Sequence, residues 1–226
     1  MHYKCPGILV IMKIGVFDSG IGGQSVVNAI QNALPDAEII FVTDPEHFPY
    51  ATKTPDEIWE GILPIFQTLV DKDVAAIVVA CNTVSTTLIG RLRERFAVPF
   101  VALEPMVKPA AESTQTGVIA VCATPTTLGS ERYAWLKTTY AKDVKVVEPD
   151  CSDWSYLIER NQMNEERIRS EIEPVLAKGA DVIVLGCTHY HWIEKEIQAI
   201  VGDKATVMQP EAAILRQLKR VLGLQP

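Results

Sequence analysis

Apolar residues in this chain follow two alternating patterns. Short continuous runs, such as Ile77-Val78-Val79-Ala80 and Val182-Ile183-Val184-Leu185, are separated by longer stretches in which apolar residues recur every three or four positions. The runs predict strands at 13–17, 38–42, 75–80, 99–103, 117–122, 144–148, 181–186 and 205–208. The periodic stretches predict helices at 22–33, 55–71, 84–96, 105–113, 127–139, 153–159, 164–178, 190–200 and 210–222. Strand and helix in alternation indicate an α/β fold with a mostly parallel, doubly wound sheet. A strand of such a sheet is covered on both faces, so its sequence reads as unbroken apolar residues.

The pattern repeats. Asp181-Val182-Ile183-Val184-Leu185-Gly186-Cys187-Thr188-His189 matches Ala75-Ala76-Ile77-Val78-Val79-Ala80-Cys81-Asn82-Thr83, with the two cysteines 106 positions apart. Ile14-Gly15-Val16-Phe17-Asp18-Ser19-Gly20 and Val118-Ile119-Ala120-Val121-Cys122-Ala123-Thr124 form a second matching pair. Two pseudo-symmetric α/β domains facing each other across a cleft follow from this. Breaks at Glu104-Pro105 and around Ala205 suggest that the second domain is inserted into the first. The expected division is 13–103 plus 205–226, then 104–204. Residues 1–12 read as an N-terminal extension, because Met12-Lys13-Ile14-Gly15 resembles a natural start.

Composition narrows the function classes. The chain has 226 residues, 48% apolar and 22% charged, which suits a globular protein with a real core. A net charge of −7 argues against a general nucleic-acid binder, which would carry a basic stripe. Five cysteines (5, 81, 122, 151 and 187) with no CxxC pair argue for a reducing compartment rather than a disulfide framework. The apolar stretch from Gly7 to Met12 is too short to span a bilayer. It has no small-residue cleavage site, so neither a membrane partner nor secretion is expected.

Ligands of open α/β sheets bind beyond the carboxyl ends of the strands, which directs attention to the polar residues there. Cys81 and Cys187 each stand at a strand end before a helix, a setting expected to lower a thiol's pKa. A thiolate can remove a proton and its conjugate thiol can return one. Inverting a stereocentre needs one such group on each face. The alternative is a pair of buried structural cysteines, against which the duplicated polar context speaks. Asp18-Ser19-Gly20-Ile21-Gly22-Gly23 opens a helix and would bring backbone N–H groups close to an anionic ligand; an ordinary capped turn is the other reading. His189 could serve or orient the Cys187 thiol, or cap the following helix, or be a satisfied core histidine. Asp44 and Pro49-Tyr50-Ala51-Thr52 follow the second strand as a turn with an aromatic wall, or as a plain loop. Thr124 and Thr127 offer hydroxyls to a ligand, or cap a helix. Cys187, His189 and His191 at i, i+2 and i+4 converge poorly on one ion, and no further ligand motif is visible, so no metal is expected.

Taken together, these motifs resemble the glutamate racemases of the cofactor-independent aspartate/glutamate racemase superfamily, over about Lys13 to Ala213. The matching pieces are FDSGIGG at Phe17–Gly23, Asp44 with Pro49-Tyr50, ACNT at Ala80–Thr83, and Glu104-Pro105 with Lys108-Pro109-Ala110. They continue with Ala123-Thr124-Pro125-Thr126-Thr127, Ser130 and Tyr133, and GCTHY at Gly186–Tyr190. The resemblance implies that Cys81 and Cys187 are the two thiols. It implies that Asp18 assists Cys81, that His189 assists Cys187, and that Asp44 and Glu159 are auxiliary acids. Ser19, Pro49, Tyr50, Ala51, Asn82, Thr83, Thr124, Thr127 and Thr188 fall at positions that hold substrate. It further implies a cytoplasmic enzyme without cofactor that supplies D-glutamate for peptidoglycan, in a family where homodimers are common.

This sequence departs from the family at several places. The usual Pro-Tyr-Gly is Pro-Tyr-Ala at Ala51, and GCTHY is followed by His191 rather than proline. The Cys151 segment lacks the usual Cys-Pro, Gln209 stands where Asp is usual, and the C-terminus is short. Three rival readings remain at this level: a racemase for aspartate or another acidic substrate, a non-catalytic descendant that binds an amino acid or a protein, and a metal-dependent hydrolase using His189 and His191.

Overall fold

The computed structural model describes residues 11–224; Cys5 and positions 1–10 of the expected extension lie outside the described residues. Among the described residues eight strands form: β1 (Lys13–Asp18), β2 (Glu38–Thr43), β3 (Ala76–Val79), β4 (Phe100–Ala102), β5 (Val118–Ala123), β6 (Lys145–Val147), β7 (Val182–Gly186) and β8 (Thr206–Met208). They build two four-stranded sheets in the orders β2-β1-β3-β4 and β6-β5-β7-β8. Every pairing is parallel. The second order is the first with four added to each strand number, so the repeat seen in the sequence is a repeat of topology.

Central and edge strands differ in burial as their sequences foretell. All of β3 and β7 is buried, as is β1 after its first residue, whereas β2 and β8 hold no fully buried residue. Successive side chains of a strand point to opposite faces, and this parity sorts the cores. Ala76, Val78 and Ala80 join Ile14, Val16, Ile214 and Leu218 on one face of the first sheet. Ile77, Val79 and Cys81 join Phe17, Ile58, Ile62 and Phe66 on the other. The second sheet repeats the division, with Val182 and Val184 on one side and Ile183, Leu185 and Cys187 on the other. Each thiol thus ends a strand on the same face as its two largest apolar residues. Complete burial of one such Ile or Leu side chain contributes about 1.5–3 kcal/mol.

All nine expected helices are present; two are divided, and two, 22–33 and 190–200, begin as 3₁₀ turns. The helix Pro55–Asp71 begins with a capping box between Thr54 and Glu57 and with proline in its first turn, and it buries Ile58, Ile62, Phe66 and Leu69 along one stripe. The expected helix 84–96 is instead Asn82–Thr87 and Ile89–Arg95, divided at Leu88. Thr86 Oγ1 donates to the Asn82 carbonyl (2.9 Å) and Thr87 Oγ1 to that of Thr83 (2.6 Å), a side-chain bonding that bends helices. The expected 127–139 helix divides at Gly129, where Ser130 caps a new helix through Tyr133 N. The expected 190–200 helix starts as a 3₁₀ turn, Thr188–Ile193.

One expected boundary is corrected. The sequence places β8 in the first unit with the rest of 205–226, yet it pairs with β7, Val182 opposite Thr206. The chain returns to the first sheet only after Met208, where the helix Glu211–Val221 buries Ile214 and Leu218 against Ile14 and Val16. The break near Ala205 is the turn that leads into an edge strand.

Candidate active site

The carboxyl ends of β1, β3, β5 and β7 meet between the two sheets. Ser19, Phe48, Tyr50, Ala51, Cys81, Asn82, Thr83, Thr124, Ser155, Cys187, Thr188 and His189 line one small cavity there, of about 10 Å³. That is the least that accommodates one water molecule. A larger cavity of about 270 Å³ lies away from both thiols, between Leu103–Met106 and Pro210–Gln217.

Most of the residues singled out in the sequence line this cavity. The others stand immediately behind it. Asp18 is fully buried; its carboxylate accepts from Gly23 N at 2.8 Å and from Thr188 Oγ1 at 3.2 Å. Glu159 lies behind His189, accepting from Nε2 at 2.6 Å. Asp44 lies behind Tyr50, whose hydroxyl donates to it, and also pairs with His47 Nδ1 at 2.8 Å. Thr127 lies behind Thr83 and Thr124, and the three hydroxyls form a closed set at 2.9–3.3 Å. Pro49 follows Phe48 through a cis peptide bond. The sequence reading missed Phe48, whose ring stacks on His189 at 5.2 Å, and Ser155, beside the buried Trp154. Neither carries a polar pattern that marks it in the sequence; proximity to Pro49-Tyr50 was the one available signal for Phe48.

The glycine loop has a different use from the expected anion cradle. Its amides go to protein carboxylates, Gly23 N to Asp18 and Ile21 N to Glu159 (3.2 Å). A Cβ on Gly22 would lie 2.6 Å from His189 N and from Thr188 Oγ1, and one on Gly20 would lie 2.8 Å from Glu159 Oε2. These glycines permit the first unit to press against the turn that carries Cys187.

The two thiols have unlike surroundings. Cys81 N-caps the helix Asn82–Thr87, and its Sγ donates to Ser19 Oγ at 3.7 Å. The expectation of a lowered pKa fails here. Burial, reinforced by the negative charge of Asp18, pushes this thiol up to about 12 and outweighs the helix amide at Val84. Cys81 therefore rests as a protonated thiol. Cys187 Sγ lies 4.0 Å from His189 Nδ1, while Nε2 of the same ring meets Glu159. Burial alone would lower the pKa of His189, but bonds to Cys187 and Glu159 and the charges of Cys187 and Asp18 prevail and raise it to about 10. His189 is thus an imidazolium at neutral pH, a positive charge beside the Cys187 sulfur. Burial works to raise Glu159, yet the hydrogen bond and charge of His189 hold it below the ordinary carboxylate range. Burial drives the Asp18 pKa up, opposed by His189 and the Gly23 amide.

Asn82 is 3% exposed, and both polar atoms of its amide lack a hydrogen-bond partner among the described residues. A buried amide left unpaired is costly, and this one borders the cavity. Ala51 sits in a 3₁₀ turn, Tyr50–Thr52, without positive φ, so its backbone conformation does not demand the glycine usual in the resembling family. Among the described residues no group of three or more His, Cys, Asp or Glu side chains is arranged to hold a metal ion.

Residues 21–218 match the sequence profile of the Asp/Glu/Hydantoin racemase family. The chain belongs to this family. Its reaction class, racemisation, makes the protein an isomerase. Relatives include the glutamate racemase of Pseudomonas syringae pv. tomato, 41% identical over 93% of this chain and 78% of the relative. That of Ectopseudomonas mendocina is 39% identical over 93% of this chain and 82% of the relative. The crystal structure of Escherichia coli glutamate racemase with L-glutamate and the activator UDP-MurNAc-Ala superposes with a TM-score of 0.81 at 29% identity, covering 94% of this chain and 83% of that one. In this racemase, as in those, the fold is α/β with two facing parallel sheets. No helix among the described residues is long and apolar enough to cross a membrane.

Proposed function

We propose that this racemase interconverts L- and D-glutamate without a cofactor, Cys81 and Cys187 moving protons on opposite faces of Cα. The observation that carries this reading is that both thiols border one cavity, each from the end of the equivalent strand of its sheet. The choice of glutamate rests on the activity named for the relatives. In the cytoplasm, its D-product would serve the building of peptidoglycan.

The electrostatics suggest the order of events. The Cys187 thiolate, paired with the His189 imidazolium, takes the α-proton of one enantiomer. The electron pair left on Cα is held in a closed polar site, where fixed dipoles act strongly. The Cys81 thiol then gives its proton to the opposite face. The product leaves a thiol at Cys187 and a thiolate at Cys81, the charge state that accepts the other enantiomer. Asp18, raising the proton affinity of Cys81, drives that site back toward the thiol. Asn82, the Thr83-Thr124-Thr127 hydroxyls, Ser19, Tyr50 and Thr188 supply donors and acceptors for the ammonium and carboxylates. Burial and Asp44 push the Tyr50 pKa up, so its hydroxyl stays protonated as a donor. An amino acid far exceeds a cavity of about 10 Å³, so substrate entry requires the two units to part.

The test is circular dichroism of L-glutamate, then D-glutamate, with the protein in D₂O. Decay of both signals to zero with deuterium at Cα is the expected result. Decay with aspartate and not glutamate would move the substrate assignment. Silence with both would remove the activity.

A further inference from the structure

The turn Thr188–Ile193 is anchored by four successive side chains, each on a different part of the fold. Thr188 reaches Asp18 at the end of β1, His189 reaches Glu159, Tyr190 Oη donates to the Cys151 carbonyl at 2.8 Å, and His191 leaves the second unit altogether. His191 Nδ1 lies 3.0 Å from Ser25 Oγ and 2.9 Å from Glu211 Oε1. Ser25 belongs to the helix Gln24–Ala33, which follows the glycine loop, and Glu211 opens the helix that packs on the first sheet. Glu211 is a carboxylate held below its usual range by His191, against burial, so Nδ1 is the donor. The other ring nitrogen, Nε2, is buried with no partner among the described residues, so the ring makes these polar contacts through Nδ1 alone. The His191 side chain is 2% exposed, too buried for an incidental surface contact.

We infer that His191, bridging Ser25 and Glu211, is a positioning residue that clamps the Cys187–His189 turn against the first unit and so sets the geometry of proton transfer at Cys187. The physical reason is leverage. Thr188 and His191 are the two side chains of this turn that bond to the first unit, and they flank His189. With the outer one removed, the turn can tilt about Thr188, and His189 shifts relative to the Cys187 sulfur. Proton transfer is steeply sensitive to such misplacement. Cys81, on the opposite wall and held by Ser19, is left in place. The effect of the clamp is thus confined to one of the two proton transfers.

That confinement gives a measurement which a general loss of structure would not mimic. This inference rests on the two-thiol glutamate reading, so wild-type protein is assayed first with protiated and α-deuterated L- and D-glutamate. In His191→Ala we expect kcat to fall about tenfold in both directions, since the two directions share their transition states. The α-deuterium isotope effect should rise with the enantiomer that Cys187 attacks and fall with the other. His191→Asn places an amide N–H near the Nδ1 position and should recover activity to within about threefold of wild type. If His191→Ala does not fold, Glu211→Gln, which keeps the helix and weakens only the acceptor, should show the same opposite isotope shifts. The inference is overturned by wild-type rates in His191→Ala, by a loss of rate with both isotope effects unmoved, or by an asparagine variant no better than alanine. Wild-type protein inactive on both glutamate enantiomers would remove the underlying reading and the inference with it, a result distinct from unmoved isotope effects in an active enzyme.

Discussion

The Cys81 wall and the Cys187 wall share a topology and differ in charge. Both thiols follow the third strand of a sheet ordered 2-1-3-4 or its equivalent, and both are nearly buried. Beside Cys81 stand a hydroxyl and a carboxylate, Ser19 and Asp18; beside Cys187 stands a histidine backed by Glu159. A carboxylate near a buried thiol stabilises the proton on sulfur, whereas an imidazolium stabilises the thiolate. The two thiols thus hold equivalent positions in the fold, and one unlike neighbour at each gives them opposite electrostatic surroundings. In the proposed mechanism that contrast makes Cys81 the donor and Cys187 the base.

Removing either sulfur has the largest expected effect on this pair of walls. Cys81→Ser and Cys187→Ser should each lower racemisation by at least about 10³-fold, since one face loses its proton carrier. Each variant should still exchange the α-proton of a single enantiomer with D₂O, and a different one in each case, by NMR. Exchange of the same enantiomer in both would contradict the assignment of the thiols to opposite faces.

Next in size is the histidine. His189→Asn removes the counter-charge at Cys187 and should cost about 10²-fold in kcat, with little effect on the pKa of Cys81. In the native enzyme the proton on His189 persists to about pH 10, so kcat should hold through neutral pH and decline as pH rises past that value. The same pairing contributes to stability. His189 has a folded pKa above its unfolded value of 6.5, so its contribution is complete below pH 6.5 and disappears as pH climbs through about 10. Thermal denaturation of wild type and His189→Asn at pH 6 and pH 11 should show a larger gap at pH 6.

Smaller again is Glu159→Gln. With the carboxylate gone, one support for the His189 proton is lost, and the alkaline limb should begin at lower pH, with kcat at pH 7 falling about tenfold. A limb that stays in place would assign the raised histidine pKa to Cys187 and Asp18 alone. Smallest is Ala51→Gly, which restores the residue usual in the resembling family. The backbone at Ala51 has no positive φ, so KM for glutamate should change by less than about threefold, and the added freedom should cost about 0.5–1 kcal/mol of stability.

Much of this was readable one residue at a time. The runs at 75–80 and 181–186 identified the central strands because burial on both faces leaves no room for polar residues, and the matched cysteines marked the two strand ends that matter. Edge strand β8 is legible as a strand but its sheet is not, because a three-residue edge strand carries no mark of its partner. The raised pKa of Cys81 is hidden for a similar reason. A helix N-terminus is visible in sequence, while burial and the approach of Asp18 from a neighbouring strand are not.

Local period and side-chain chemistry are enough to specify the strands and helices, the repeat, and the identity of the groups able to carry protons. Which of those groups meet is set by the packing of the two units. It brought Glu159 to His189 across 30 residues and Thr188 to Asp18 across 170. It also turned the glycines of the first loop into a contact surface, and it made a clasp of His191, Ser25 and Glu211. Those outcomes depend on distances between segments remote in the chain, set by the packing of two sheets, and no local pattern encodes them.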